Sequence, residues 1–326
     1  MKEPKNYNAD KAWERVNKKA TQKQRVRLIT RVSLTSVALI AAVAIMFPFF
    51  NTELNEELTA QEQMVIRKKA TLYMAEGTTV ELSDSLDYSL EQIIVQKNIT
   101  PLNTPNVKKV RKNILDVPTG GEYYFELPDG TRVWLNSQTR LEFPTEFTGN
   151  TREIALSGQA YFDVVHNPEK PFIVHTDLGK VEVKGTSFDL KVYKNDRTFE
   201  TTLVEGSVSL EIPNQPNTII KPGQRSVYSD TSHKLSTKNV DVQLYTSWKN
   251  GIFYFENRNL TEIAKELERW YEVSFKFADN NAQNIRYTGE YNKNQKLSDI
   301  LELLSKTGGV SFAIKDSTIQ VSSNPM

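Results

Sequence analysis

Three patterns of apolar and polar positions succeed one another along the chain. Val32–Phe50, VSLTSVALIAAVAIMFPFF, runs nineteen residues without a charge and is apolar on every helical face. A helix of that length rises roughly 28 Å, near the roughly 30 Å hydrocarbon core of a bilayer, so the run predicts one membrane crossing. Ala42-Val43-Ala44 has the small-x-small form of a signal-peptidase site and supplies a rival reading. The long polar region ahead of the run, and the greasy IMFPFF start that cleavage would leave, favour a retained anchor.

The second pattern has a period of two. EYYFEL-PDG-TRVWL predicts two strands joined at Asp129-Gly130, a dipeptide that tolerates the positive φ of a tight hairpin. REIAL, AYFDVV, PFIVHT, KVEVK, SFDLKVY, FETTLV and SVSLEI follow as short strands punctuated by glycines, Gly158 among them. In SFDLKVY, Phe188, Leu190 and Val192 alternate with Asp189, Lys191 and Tyr193, which predicts one buried and one wet face. No helical period appears before about Asp241, so the stretch is expected to be all-β: a sandwich, a barrel or a twisted solenoid of short strands.

The third pattern mixes both periods. GIFYFEN predicts a strand, and LTEIAKELERWYEV a helix capped by Asn259 with Leu260, Ile263, Leu267 and Trp270 on one face. VSFKF and IRYTGEY predict strands. KLSDILELLSKTGG predicts a second helix with Leu297, Ile300, Leu301 and Leu304 inward and Gly308 at its stop, and VSFAIK and TIQVS close the chain as strands. The order predicts a small α+β domain, βαββαβ in outline, with two helices on one sheet. Near the start, NADKAWERVNKKA places Trp13, Val16 and Ala20 on one face of a short helix that cannot bury Trp13 by itself.

Charge orients the membrane crossing. The net charge of +1 conceals ten basic against three acidic groups in residues 1–31, while the far flank opens with Asn51, Glu53, Glu56 and Glu57. Basic residues gather on the cytoplasmic side of a membrane helix, so residues 1–31 are expected inside and 51–326 outside. The same basic run would also suit lipid headgroups or nucleic acid; topology explains it without direct nucleic-acid contact. The chain has no cysteine, which excludes disulfides, thiol catalysis and thiolate metal sites.

Candidate chemistry is sparse. His166, His175 and His233 show no HxH or HExxH spacing, and there is no P-loop, no GxGxxG after a strand and no GxSxG. Asp129 and Asp163 are nominal glycosidase carboxylates, but a hairpin explains one and strand alternation the other. The expectation is no enzymatic activity, no metal and no cofactor. Tyr123, Tyr124, Trp134, Tyr161 and Phe162 would suit a sugar platform, yet at strand spacing they read as core. The strand edges of the terminal α+β domain, which can extend a partner's sheet, are the expected binding surface.

LPDGTRVWLNSQTRLEFP, LSGQAYFDVV, PFIVHT, VKGTSFDLKVY, TTLVEGSVSL and KPGQ resemble, in order, the FecR domain of periplasmic anti-sigma sensors in the form abundant in Bacteroidetes. WKNGIFYFENRNLTEIAKELERWYEV with RYTGEYNKNQKLSDILELLSKTGG resembles the C-terminal domain of that group, itself similar to the short N-terminal (STN) signalling domains of secretins and TonB-dependent transporters. The resemblance runs from about Leu72 to Val321. Gln159 stands where the family usually has Glu in a G-E-A-Y-F run, and Lys184 where Leu usually precedes the GT turn. Of the family's several-helix sigma-binding region, only DKAWERVNKK is present.

The resemblance implies a single-pass inner-membrane regulator with its N-terminus in the cytoplasm and its bulk in the periplasm. Its parts would be a cytoplasmic segment (1–31), a transmembrane helix (32–50), a linker (51–71), an all-β FecR domain with an N-terminal extension (72–241) and an STN-like α+β domain (242–326). The implied partners are an extracytoplasmic-function (ECF) sigma factor, met through Trp13 and Val16, and the signalling domain of an outer-membrane TonB-dependent transporter, met through Phe253, Phe255, Leu260, Ile263 and Leu267. Release would follow from conformational change or from stepwise site-1/site-2-type proteases, beginning near Pro48, which weakens the last turn of the anchor. The alternative class is a membrane-tethered periplasmic module that binds a glycan or a protein without touching transcription.

Overall fold

The structure, a computed structural model, describes residues 69–82, 88–89, 92–93 and 112–324. The chain divides into residues 1–62 and 63–326, and every described residue belongs to the second unit. The expected anchor at 32–50, with Trp13, Val16 and Pro48, lies outside the described residues, among which no helix is long and apolar enough to cross a membrane.

The alternating region forms strands β1 (Ala70–Tyr73), β2 (Thr79–Leu82), β3 (Tyr88–Ser89), β4 (Lys112–Val117), β5 (Tyr123–Glu126), β6 (Arg132–Leu135), β7 (Thr139–Pro144), β8 (Arg152–Asp163), β9 (Phe172–Thr176), β10 (Gly179–Val183), β11 (Ser187–Val192), β12 (Thr198–Glu205), β13 (Val208–Glu211), β14 (Thr218–Ile220), β15 (Gln224–Ser229) and β16 (Lys234–Asn239). They make two layers, β2-β1-β4-β7-β8-β9-β10-β13-β14 and β3-β5-β6-β8-β11-β12-β15-β16, antiparallel except at β8–β9 and β3–β5. Strand β8 belongs to both. Its residues Arg152–Ser157 pair with β9 and β7 in the first layer, and Gly158–Asp163 pair with β11 and β6 in the second. The crossing falls at Gly158, whose φ of +122° and missing Cβ are both needed: a Cβ there would lie 2.4 Å from Thr139 Oγ1 and 2.7 Å from Thr139 Cα.

Period two turns one side of each strand between the layers. Leu115, Phe143 and Phe172 come from one layer and Phe125, Phe162 and Phe188 from the other, all fully buried. The rings of Phe125 and Phe143 meet across the gap at 5.0 Å and those of Phe162 and Phe172 at 6.2 Å. Each such ring contributes about 1.5–3 kcal/mol by leaving water.

The other side of β11 departs from expectation. Asp189 and Tyr193 are buried rather than wet. That face carries the C-terminal part of the chain, and a strand covered on both sides by packed elements still alternates when one cover is polar.

The C-terminal part begins with α1 (Gln243–Thr246) and a 3-10 turn at Ser247–Asn250, then β17 (Ile252–Asn259), α2 (Leu260–Tyr271), β18 (Ser274–Phe277), α3 (Asn280–Asn284), β19 (Arg286–Asn292), α4 (Leu297–Gly308), β20 (Val310–Lys315) and β21 (Thr318–Ser323). The Asn259 side chain accepts the Glu262 N–H at 2.9 Å and starts α2 as a cap. Helix α4 stops one residue later than expected, at Gly309 with φ +65°. Gly308 remains inside the last turn, where a Cβ would collide with the ring of Tyr287. Two small sheets replace the single expected one: β17 pairs antiparallel with β19, while β21 lies between parallel β18 and antiparallel β20. Both sheets share one core with the helices, built around Leu260, Ile263, Leu267, Leu301, Val310 and Ile319.

Candidate functional site

The outer face of the second layer is a ladder of polar side chains in register. Tyr161, Asp189, Thr202, Arg225 and Lys238 lie across β8, β11, β12, β15 and β16, and Gln159, Lys191 and Glu200 form the next row. Trp248, Arg258, Glu266 and Arg269 of the C-terminal part close over the centre of this ladder, making a seam of charges and hydrogen bonds between the two cores.

At its middle sits the Asp189 carboxylate. It accepts the Trp248 Nε1–H at 2.7 Å and the Gln159 amide, whose Nε2 lies 3.1 and 3.2 Å from its two oxygens. Gln159 Oε1 in turn accepts from Asn136 Nδ2 at 3.0 Å. Burial pushes the Asp189 carboxyl up to about 7, against the hydrogen bonds from Trp248 and Gln159 that favour its ionised form. A buried carboxyl at the junction therefore changes charge near neutrality.

Ion pairs flank it. Lys191 donates to Glu266, Arg258 Nη1 lies 3.6 Å from the same carboxylate, and Arg225 Nη2 reaches Glu200 at 2.6 Å. Arg269 Nη2 lies 2.7 Å from Asp196, and its guanidinium stacks 3.8 Å above the Tyr193 ring. Burial alone would raise both glutamates, but their cationic neighbours, led by Arg225 for Glu200 and by Lys191 for Glu266, outweigh it and hold each at about 2. The Arg269 carbonyl accepts the Gly120 N–H at 3.0 Å and the Ser137 hydroxyl, so backbone as well as side chains cross the seam.

Two hollows open beside the seam. One, of about 370 Å³, is lined by Glu122, Tyr124, Trp134, Trp248 and Lys249. The Lys249 ammonium sits there 3.7 Å above the Tyr161 ring and 5.1 Å from that of Trp134, and burial lowers its pKa. The other is a cleft of about 600 Å³ between the outer ladder and the C-terminal part, lined by seven basic and four acidic side chains.

The residues singled out from sequence fall differently. Phe253, Phe255, Leu260, Ile263 and Leu267 are at most 8% exposed and form the core of the C-terminal part, because the apolar stripe of α2 turns onto its own strands. In this conformation they offer no surface to a partner. Asp129 and Gly130 make the β5–β6 turn, with Gly130 at φ +81°; the Asp129 carboxylate accepts from Thr131 and, at 2.7 Å, from the buried Arg152 guanidinium. Of the supposed aromatic platform, Tyr123 and Phe162 belong to the β core and Tyr161 to the C-terminal core. His175 pairs with Glu153 at 3.0 Å on the surface, and His233 lies 3.4 Å from the Tyr228 hydroxyl. Trp13 and Val16 lie outside the described residues. Sequence reasoning passed over Asp189, Lys191, Trp248, Glu266 and Arg269. Their signal is present, since Glu266 and Arg269 stand within the covered side of α2 and Asp189 and Lys191 on the polar side of a strand flanked by core, but it reads as solvation.

Comparison with known proteins bears on both sides of the seam. A family model described as FecR protein matches residues 114–209, and one described as FecR, C-terminal, matches residues 252–321. Two crystal structures of a proposed anti-sigma factor from Parabacteroides distasonis align with a TM-score of 0.62 and 29% identity. One alignment covers 65% of this chain and 99% of that chain, the other 66% and 100%. No curated protein matches.

Proposed function

Because the chain belongs to the FecR-type family of anti-sigma factors, we propose that it is a single-pass inner-membrane regulator that holds an ECF sigma factor at residues 1–31 and reads a transporter's signalling domain with its C-terminal part. The carrying observation is the joint alignment: both family models fall in order on the two sides of one seam, and the 29% identity extends over essentially the whole of a proposed anti-sigma factor. The uncharged run at 32–50 and the basic flank before it support the crossing and its direction.

In this reading the protein performs no covalent chemistry. Asp189–Trp248, Lys191–Glu266 and Asp196–Arg269 hold the C-terminal part on the β layers. A partner that binds the C-terminal part better when it is seated, or better when it is lifted, shifts that equilibrium by its differential affinity. The β layers then pass the change toward the anchor, where proteolysis releases the sigma factor. The surface offered to a TonB-dependent transporter's signalling domain is the edge strand β20, with Ile314 43% exposed and Leu303 of α4 56% exposed, in place of the buried Phe253 and Leu260.

Affinity purification through the N-terminal segment tests the reading. An ECF sigma factor should accompany the wild-type chain and be lost from Trp13→Ala, since truncating a hot-spot aromatic typically costs about 2 kcal/mol or more. Failure to recover any sigma factor would leave the membrane-tethered binding module as the function. A periplasm-only reporter fused after Met326 should be active, and activity of a cytoplasm-only reporter would refute the orientation.

A further inference from the structure

Strand β16 closes the second layer and pairs, among the described residues, only with β15. Among the described residues its other edge meets no strand, which leaves its outward backbone donors and acceptors open to one. Lys234, Ser236 and Lys238 share one face, opposite Ser229, Val227 and Arg225, and all three are exposed. Lys238 also lines the 600 Å³ cleft, so the cleft and the open edge form one continuous surface.

The charges of that surface are unevenly spent. Within the cleft Arg225 pairs with Glu200 and Arg269 with Asp196, whereas among the described residues Lys234, Lys238 and Arg286 have no carboxylate partner. Tyr245 supplies the one aromatic ring of the lining, which disfavours an apolar ligand. Glu256 and Glu262 also line it and would repel a uniform polyanion. A chain that alternates acidic with neutral residues meets both conditions and brings its own backbone to the open edge.

We propose that β16 takes an extended protein segment as an added strand, one with Asp or Glu at alternate positions that meet Lys234 and Lys238. A strand laid at about 4.8 Å from β16 sets every second side chain on the cleft side, which fixes the spacing of the acidic residues. Lysines on an edge strand ordinarily prevent promiscuous pairing. Here the same two lysines reject neutral and basic strands and admit an acidic one, so protection and selectivity share one device. This surface lies on the β layers, apart from the β20 edge, and stands or falls independently of the transmembrane relay.

Full-length protein in detergent micelles would be titrated with a short fluorescent peptide alternating Glu and Thr, with a scrambled peptide of the same composition, and with heparin. The alternating peptide should bind saturably, protect the amides of residues 234–239 from hydrogen exchange, and bind about tenfold more weakly to the Lys234→Glu/Lys238→Glu variant. Both substitutions are on exposed side chains, and amide protection in the wild type reads strand addition without any variant. Equal binding of the scrambled peptide or of heparin, unprotected β16 amides, or unchanged affinity in the variant would each overturn the proposal.

Discussion

Replacing Trp248 by Phe removes one donor from the buried carboxyl of Asp189 and leaves the rest of the seam in place. The lost bond is 2.7 Å long and charge-assisted whenever Asp189 is ionised. Bonds to charged groups contribute about 1.5–3 kcal/mol and bonds between neutral groups about 0.5–1.5. The carboxyl is pushed up to about 7 from its ordinary 3.8, so it is largely neutral at about pH 5 and largely ionised at about pH 8. Raising the Asp189 pKa by about one further unit sets a ceiling of about 1.4 kcal/mol, of which the variant should lose about 1 kcal/mol at about pH 8 and almost none at about pH 5. The smaller ring adds a packing loss of about 1–2 kcal/mol, which is independent of pH and cancels in the comparison. In the wild type the same group binds its proton more tightly folded than unfolded. Its contribution is full below about pH 4, declines as pH rises and is gone once pH passes about 7, a span of about 4 kcal/mol. The assay is urea unfolding of the full-length protein in micelles at about pH 5 and about pH 8, followed by the remaining tryptophans. An equal loss at the two values, or a larger loss at the lower one, would refute this account of the junction.

Other perturbations separate the remaining forces. Gln159→Glu, which installs the residue usual in the family, sets a second carboxyl against Asp189; melting should be near wild type at about pH 5 and lower by about 2 kcal/mol at about pH 8. Gly158→Ala meets Thr139 at 2.4 Å on a backbone with φ +122° and should cost about 3 kcal/mol or more, whereas Gly77→Ala, at φ +100° in open space, should cost about 1, both read as melting shifts. Glu200 and Glu266, held at about 2 against an ordinary 4.5, stabilise the fold above about pH 4.5 and lose that contribution as pH falls toward 2, by about 3 kcal/mol each, which acid titration followed by circular dichroism would show. Arg269→Met leaves Asp196 and Glu266 short of a cation and should cost about 3 kcal/mol, measured by urea unfolding.

Much of the architecture can be read along the chain because period reports burial. The stripes of α2 and α4, the Asn259 cap and the Asp129-Gly130 turn are local, and local chemistry determines them. Pairing is not local, so the split of the last strands into β17–β19 and β18–β21–β20 leaves no mark in alternation. The face of β11 shows the deeper limit: Asp189 and Lys191 look the same in sequence whether water or the polar side of another layer covers them. Phe253, Phe255 and the leucines of α2 show the converse. An apolar residue at a strand or helix stripe position fills its own core before it meets a partner.

Strand β8 has a consequence for how the chain reaches this shape. Its first half is the middle of one layer and its second half the middle of the other, so neither layer can be completed while β8 is unplaced. The β11 and β7 partners arrive from opposite sides in sequence, and Phe162 in the second half of β8 meets Phe172 of β9, the partner of its first half, across the gap. Sharing β8 is thereby expected to couple the assembly of the two layers. A backbone nick near Gly158 would be expected to release both layers together, where a nick in an edge strand would release one.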